Sequence, residues 1–187
     1  MRESCYSEVI LYMSFHNLTL GKKAPEFVNA VVEIPKGCAC KFEYDEAIDE
    51  IKLDRVLHSS MHYPVDYGFI PSTRSDDGDH LDVLIAVSAP LFPGCVVSVR
   101  PVGAVDMEDE AGQDWKIVAV AEHDPRLRAV ASVDDLGRHF KLEVRHFLEE
   151  YKRLENKWVR VKGWLGKDDA YRLIRSAADR FKNERQP

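Results

Sequence analysis

The sequence predicts a small closed β-barrel with helices packed on its outside, with an open α+β sandwich as the competing arrangement. Two observations carry this prediction. Short apolar or alternating runs, each bounded by glycine, proline or acidic turn residues, follow one another from Ala30 to Val120. Beyond them, two stretches with apolar residues every three or four positions flank one further strand. The order is many strands, then helix, strand, helix.

At 187 residues the chain is long enough for one domain with a sizeable core. Residues 14–187 read as that domain, and residues 1–13 as an N-terminal extension: a loose arm, a short extra strand, or a segment upstream of a start at Met13. The formal net charge is −6 and the charged fraction 31%, which argues against a broad nucleic-acid or anionic-membrane surface. No apolar run is long enough to cross a bilayer, and the N-terminus lacks a basic region followed by an apolar stretch. A cytoplasmic protein with no membrane partner is expected. Cys5, Cys38, Cys40 and Cys95 match no zinc or Cys-x-x-Cys spacing, so reduced thiols are expected.

The first strand is Ala30 to Ile34, stopped by Pro35. Lys41-Phe42-Glu43-Tyr44 alternates strictly, placing Lys41 and Glu43 on one face and Phe42 and Tyr44 on the other. Asp45 to Glu50 turns, and Ile51 to Leu57 returns as the partner strand. Met61 to Pro71 is irregular and rich in tyrosine, proline and glycine. Leu81 to Val87 and Cys95 to Val102 are strands, Asp109 to Asp114 is a hairpin tip, and Trp115 to Val120 is the strand leaving it. Ser132 with Asp135 forms a capping-box pattern. Phe140, Val144, Phe147, Leu148, Tyr151 and Leu154 then make one buried helical stripe. Lys157 to Leu165 is a strand, with Trp158 packed under that helix. Ala170, Leu173, Ile174, Ala177 and Phe181 mark the second helix.

The chemistry concentrates at Asp77-Gly78-Asp79-His80-Leu81-Asp82, which opens directly into the apolar run Val83 to Val87. Three ionised carboxylates beside a core repel one another and lose water, a cost that a bound cation removes. Hard divalent cations take oxygen ligands, so magnesium is the natural candidate. An EF-hand does not fit, because the glycine comes too early and no glutamate closes a twelve-residue loop. A second acidic group, Asp109 to Asp114, opens another strand and adds Lys116. Lys41 and Arg55 lie on neighbouring strands. Together these residues suggest a site for metal and anion.

The chain resembles the soluble family I inorganic pyrophosphatases from about Phe15 to Phe181. The resemblance is carried by Val32-Glu33-Ile34-Pro35-Lys36-Gly37, by Lys41-Phe42-Glu43, and by Asp54-Arg55 through Tyr63-Pro64-Val65-Asp66-Tyr67-Gly68-Phe69-Ile70. The two acidic groups and Phe147-Leu148-Glu149-Glu150-Tyr151-Lys152 complete it. It implies a five-stranded OB-like barrel with flanking helices and hydrolysis of pyrophosphate to two phosphates by a metal-activated water. It implies that Asp77, Asp82 and Asp114 hold the activating metal, that Asp109 with Asp114 holds metal arriving with substrate, and that Glu33 and Glu43 bind metal directly or through water. Asp79 would be the base acting on the attacking water. Lys41, Arg55, Tyr67, Lys116, Tyr151 and Lys152 would contact phosphate, and Tyr63 would support the wall. Several Mg2+ ions per site are implied, with Mn2+ or Zn2+ as substitutes, and a homo-oligomer, a hexamer before a dimer. The family usually has proline where this chain has His80. The plain expectation is a tolerated loop substitution that adds a titratable ring beside Asp79.

Two other readings compete. One is another metal-dependent phosphohydrolase acting on a nucleotide or phosphorylated metabolite, which would need a pocket for the organic group. The other is an OB-type nucleic-acid-binding module, which would want a basic groove with exposed stacking aromatics. Acidic residues on the strands argue against the latter.

Overall fold

The computed structural model describes residues 14–184. The extension expected over residues 1–13, with Cys5, lies outside them. The elements run β1 (Val28–Ile34), β2 (Cys40–Asp45), β3 (Glu50–Val56), β4 (Asp66–Ile70), β5 (Leu81–Ala86), β6 (Val96–Asp109), β7 (Gly112–Ala121), α1 (Arg138–Glu150), β8 (Val159–Leu165) and α2 (Lys167–Glu184).

Five strands close into a ring in the order β1, β4, β5, β7, β6, with β6 pairing again to β1. The closed five-stranded barrel is present and the open sandwich is not. Every junction is antiparallel except β5 with β7, which run parallel. The far half of β6 also carries β8. Strands β2 and β3 form a separate hairpin, tied to the barrel where the Tyr44 N–H donates to Glu33 Oε1 at 2.7 Å.

Alternate residues of the central strands face two apolar clusters. Leu84, Val118 and Val120 meet Val144, Phe147 and Leu148 of α1, while Val83, Ile85, Ile117 and Ala119 meet Ala170, Ile174 and Ala177 of α2. Burial on both faces explains why these strands read as continuous apolar runs. Each fully buried Ile or Leu contributes about 1.5–3 kcal/mol to that packing.

Four local expectations differ from the structure. The stretch expected to be irregular contains β4, because Gly68 lets the strand lie against β1: a Cβ there would stand 1.9 Å from the Val31 carbonyl oxygen. Strand β6 runs on past Val102 to Asp109, since a bulge between Pro101 and Gly103 absorbs a proline that cannot join the ladder. The Ser132–Asp135 capping box is formed, but it caps a 3-10 turn over Val133–Leu136 that precedes α1. Finally, α1 stops at Glu150 and the chain turns, so Leu154 leaves the stripe and is 63% exposed, and Trp158 is 50% exposed instead of packing under the helix.

Candidate active site

The strand ends and one loop deliver the charged residues to a single place. Glu33 comes from β1, Lys41 and Glu43 from β2, Tyr67 from β4, Asp82 from β5, Asp109 from the end of β6, and Asp114 and Lys116 from β7. Asp77 and Asp79 stand on the loop between β4 and β5, and Tyr151 and Lys152 follow the last turn of α1. All twelve line one cavity of about 300 Å³. Of the predicted site residues only Arg55 and Tyr63 do not. Arg55 sits across from Lys41 in the hairpin. Its Nε donates to Glu155 Oε1 at 3.0 Å, and its Nη1 pairs with Asp54. Tyr63 is buried, its ring 5.6 Å from that of Tyr67 and 4.7 Å from that of Phe147.

Phe42, Tyr44, Glu46, Phe69 and His80 also line the cavity. Strict alternation on β2 placed Phe42 and Tyr44 on the opposite face; a bulge between Lys41 and Phe42 breaks that alternation. Glu46 lies in a turn and carries no periodic signal. His80 is not an exposed loop residue: its side chain is 11% exposed and its ring stacks on Phe69 at 4.9 Å. Its Nδ1 lies 2.8 Å from the Thr73 carbonyl and its Nε2 2.8 Å from Glu46 Oε1. Burial lowers its pKa, so the charge expected beside Asp79 in mild acid is diminished, and the ring acts as packing.

Each cavity lysine is tied to carboxylates. Lys116 Nζ sits between Asp82 and Asp114, 2.7 Å from Asp114 Oδ2. Lys152 Nζ lies 2.9 Å from Asp109 Oδ2, and Lys41 pairs with Glu43 and, at 3.4 Å, with Asp54. Among the described residues no three His, Cys, Asp or Glu side chains stand as a ready metal cage; ammonium groups occupy the space between the carboxylates. The donor set nevertheless suits a hard divalent cation. It consists of carboxylate oxygens in a half-enclosed cavity, and their electrostatics call for positive charge. Burial, then Asp82, pushes Glu33 up to about 8. Burial, then Asp77 and Asp82, raises Asp79, and burial raises Asp114 against the pull of Lys116. Burial also raises the Tyr67 and Tyr151 phenols, so both keep an O–H to donate.

The Glu33 shift gives a test. Its folded-state pKa is raised, so between about pH 4.5 and about pH 8 the folded chain holds a proton that the unfolded chain has lost. In metal-free protein this residue's contribution to stability falls as pH rises through that window. Glu33→Gln should therefore gain on wild type steadily from pH 5 to pH 8 in urea unfolding, with little difference at the acid end. A constant difference across the window would contradict the assignment.

A closed barrel whose strand ends gather carboxylates and lysines around a small polar cavity is the architecture of a site for cations and a compact anion. Comparison with known proteins specifies it further. The inorganic pyrophosphatase family profile matches residues 30–182. An inorganic pyrophosphatase of Thermus thermophilus is 47% identical over 169 residues, covering 89% of this chain and 97% of that protein. One from Saccharolobus solfataricus is 47% identical over 165 residues, covering 87% and 96%. The crystal structure of inorganic pyrophosphatase from Thermus thermophilus superposes with a TM-score of 0.88 at 45% identity, covering 90% of this chain and 99% of that one. This chain belongs to the inorganic pyrophosphatase family, hydrolases of the phosphoric anhydride bond.

Proposed function

We propose that this chain hydrolyses inorganic pyrophosphate to two phosphates, with magnesium, by direct attack of water. The observation that carries the reading is the convergence of carboxylates from five strands and one loop with three lysines and two neutral phenols on one cavity of about 300 Å³. Asp77, Asp82, Asp109, Asp114, Glu33 and Glu43 would hold the divalent ions, which when bound supply charge neutralisation and an acidified water. Asp79, whose carboxylate is made more basic by burial and by Asp77, takes the proton of the attacking water. Lys41, Lys116 and Lys152 neutralise phosphate oxygens, and the Tyr67 and Tyr151 hydroxyls donate to them. Arg55 joins from the rim by releasing Glu155. No covalent intermediate is needed, because a polyanion so neutralised no longer repels the nucleophile.

The lining suits a small polyanion better than a nucleotide. Tyr44, Phe69 and His80 stack on one another at 4.9 and 6.0 Å, so those rings form a packed wall. Mn2+ or Zn2+ would fit the same oxygen set less selectively. The free thiols of Cys38, Cys40 and Cys95 support a reducing, cytoplasmic setting. No helix among the described residues is long and apolar enough to cross a membrane. Residues 14–187 act as one catalytic domain, and assembly into a homo-oligomer, a hexamer before a dimer, follows from the family resemblance.

The test is phosphate release from pyrophosphate with and without magnesium, beside ATP as control. Pyrophosphate should be cleaved rapidly, ATP slowly or not at all, and exhaustive chelation should abolish release. Full activity after chelation would refute the metal role. Preference for ATP would favour the nucleotide phosphohydrolase.

A further inference from the structure

Asp77 and Asp79 stand on an exposed loop, yet the proposed chemistry needs them held to a fraction of an ångström. The loop's own bonds are few: Ser75 N–H donates to the Asp79 carbonyl at 2.7 Å, Gly78 N–H to the Ser75 carbonyl at 3.3 Å, and Asp79 N–H to Asp77 Oδ1 at 3.0 Å. Support comes from alternate positions. Asp77 and Asp79 face the cavity, while Arg74, Asp76 and Gly78 make contacts away from it.

Arg74 is the centre of those contacts. Its Nη1 donates to the Gly78 carbonyl at 2.7 Å and to Glu46 Oε1 at 2.9 Å. Its Nη2 reaches Glu46 Oε2 at 3.3 Å, and its Nε reaches Glu184 Oε2 at 2.9 Å. The guanidinium carbon lies 5.4 Å from the centre of the Phe181 ring. The backbone is held as well, since Arg74 N–H donates to the Ala177 carbonyl at 2.8 Å and the Arg74 carbonyl accepts from Arg180 Nε at 2.7 Å. Arg180 also pairs with Asp76 at 3.1 Å. The Arg74 side chain is 14% exposed, while Glu46 and Glu184 keep 42% and 52%, so solvent screens the charges and the weight of the contacts lies in their fixed geometry. The fork joins three elements: the Asp77–Asp79 loop, the β2–β3 turn through Glu46, and the end of α2.

We propose that Arg74 is a positioning residue for the pyrophosphatase reaction: its guanidinium clamps the loop carrying Asp77 and Asp79 at a set distance from the hairpin carrying Lys41 and Glu43. This rests on the functional reading above. Arginine is required because the contacts use donors fixed in one plane; a lysine ammonium keeps the charge but cannot span Gly78, Glu46 and Glu184 together.

Arg74→Leu and Arg74→Lys test it, with kinetics, thermal midpoint and amide hydrogen exchange measured on each. A misplacement of about 1 Å costs up to about 100-fold, so kcat in Arg74→Leu should fall about 10- to 100-fold at saturating magnesium, with a KM change within about threefold. Arg74→Lys should restore little of it. Exchange in residues 75–80 should speed about tenfold while the barrel strands keep their protection. A kcat within about twofold of wild type in folded Arg74→Leu would overturn the proposal. So would full rescue by lysine, which would make charge the cause, or unchanged exchange in the loop. If wild type itself released no phosphate from pyrophosphate, the functional reading would fall, and the exchange data would still decide whether Arg74 clamps the loop.

Discussion

Replacing Asp79 by asparagine should lower the rate of pyrophosphate hydrolysis by about 10²–10⁴-fold, the range for loss of a positioned general base. The substitution preserves shape and the backbone contacts of the loop, namely the Asp79 N–H to Asp77 and the Asp79 carbonyl to Ser75. What it removes is a carboxylate that partial desolvation and two acidic neighbours have made a better proton acceptor than an isolated aspartate. Magnesium affinity, read by calorimetry, should survive better in Asp79→Asn than in Asp82→Ala, because Asp82 lies deeper on β5 among the other oxygen donors. A near-normal rate for Asp79→Asn would move the base role to another group.

The second large effect is expected at Lys116. Its ammonium sits between Asp82 and Asp114, and those carboxylates raise its pKa against the opposing pull of burial, so it stays charged. Lys116→Met leaves two carboxylates facing each other without a counter-charge. Removing one partner of a fully buried pair costs about 3–5 kcal/mol; here the loss should be about 1–3 kcal/mol, because Asp82 and Asp114 keep 28% and 22% side-chain exposure. The rate should fall about 10²–10³-fold through loss of a preorganised charge on phosphate. The two effects separate on adding magnesium, which should recover most of the stability by replacing the missing positive charge and little of the rate. Magnesium that restores neither would show that the carboxylates around Lys116 do not bind the ion.

These expectations depend on residues that differ in how legible they were. The carboxylates and lysines stand in short motifs whose chemistry is local, so Asp77, Asp79, Asp82, Asp109, Asp114 and Lys116 could be named before any fold was known. Glu46 could not, because a glutamate in a turn looks like any solvated charge. It becomes notable only when His80 and Arg74 reach it from the far side of the cavity. Arg55 shows the converse. Its motif places it in the site, while Glu155, a hundred residues away, draws the side chain out of the cavity.

What the sequence by itself determined is most of the elements, β4 excepted, and the identity of the charged groups. Period-two and three-or-four spacing set strands and helices through local geometry, and paired carboxylates need a cation wherever they fold. The two hairpin pairings, β2 with β3 and β6 with β7, were legible from their turns, but the pairings between distant strands were not. Nothing in the run of β5 says that it lies parallel to β7, or that β6 must bend at Pro101 to meet β1, β7 and β8 at once. Gly68 gained its meaning only from the Val31 carbonyl against it, and His80 only from Phe69 and Glu46. Closing the barrel sets which distant side chains touch, and contact between distant residues is the one quantity that local spacing does not encode.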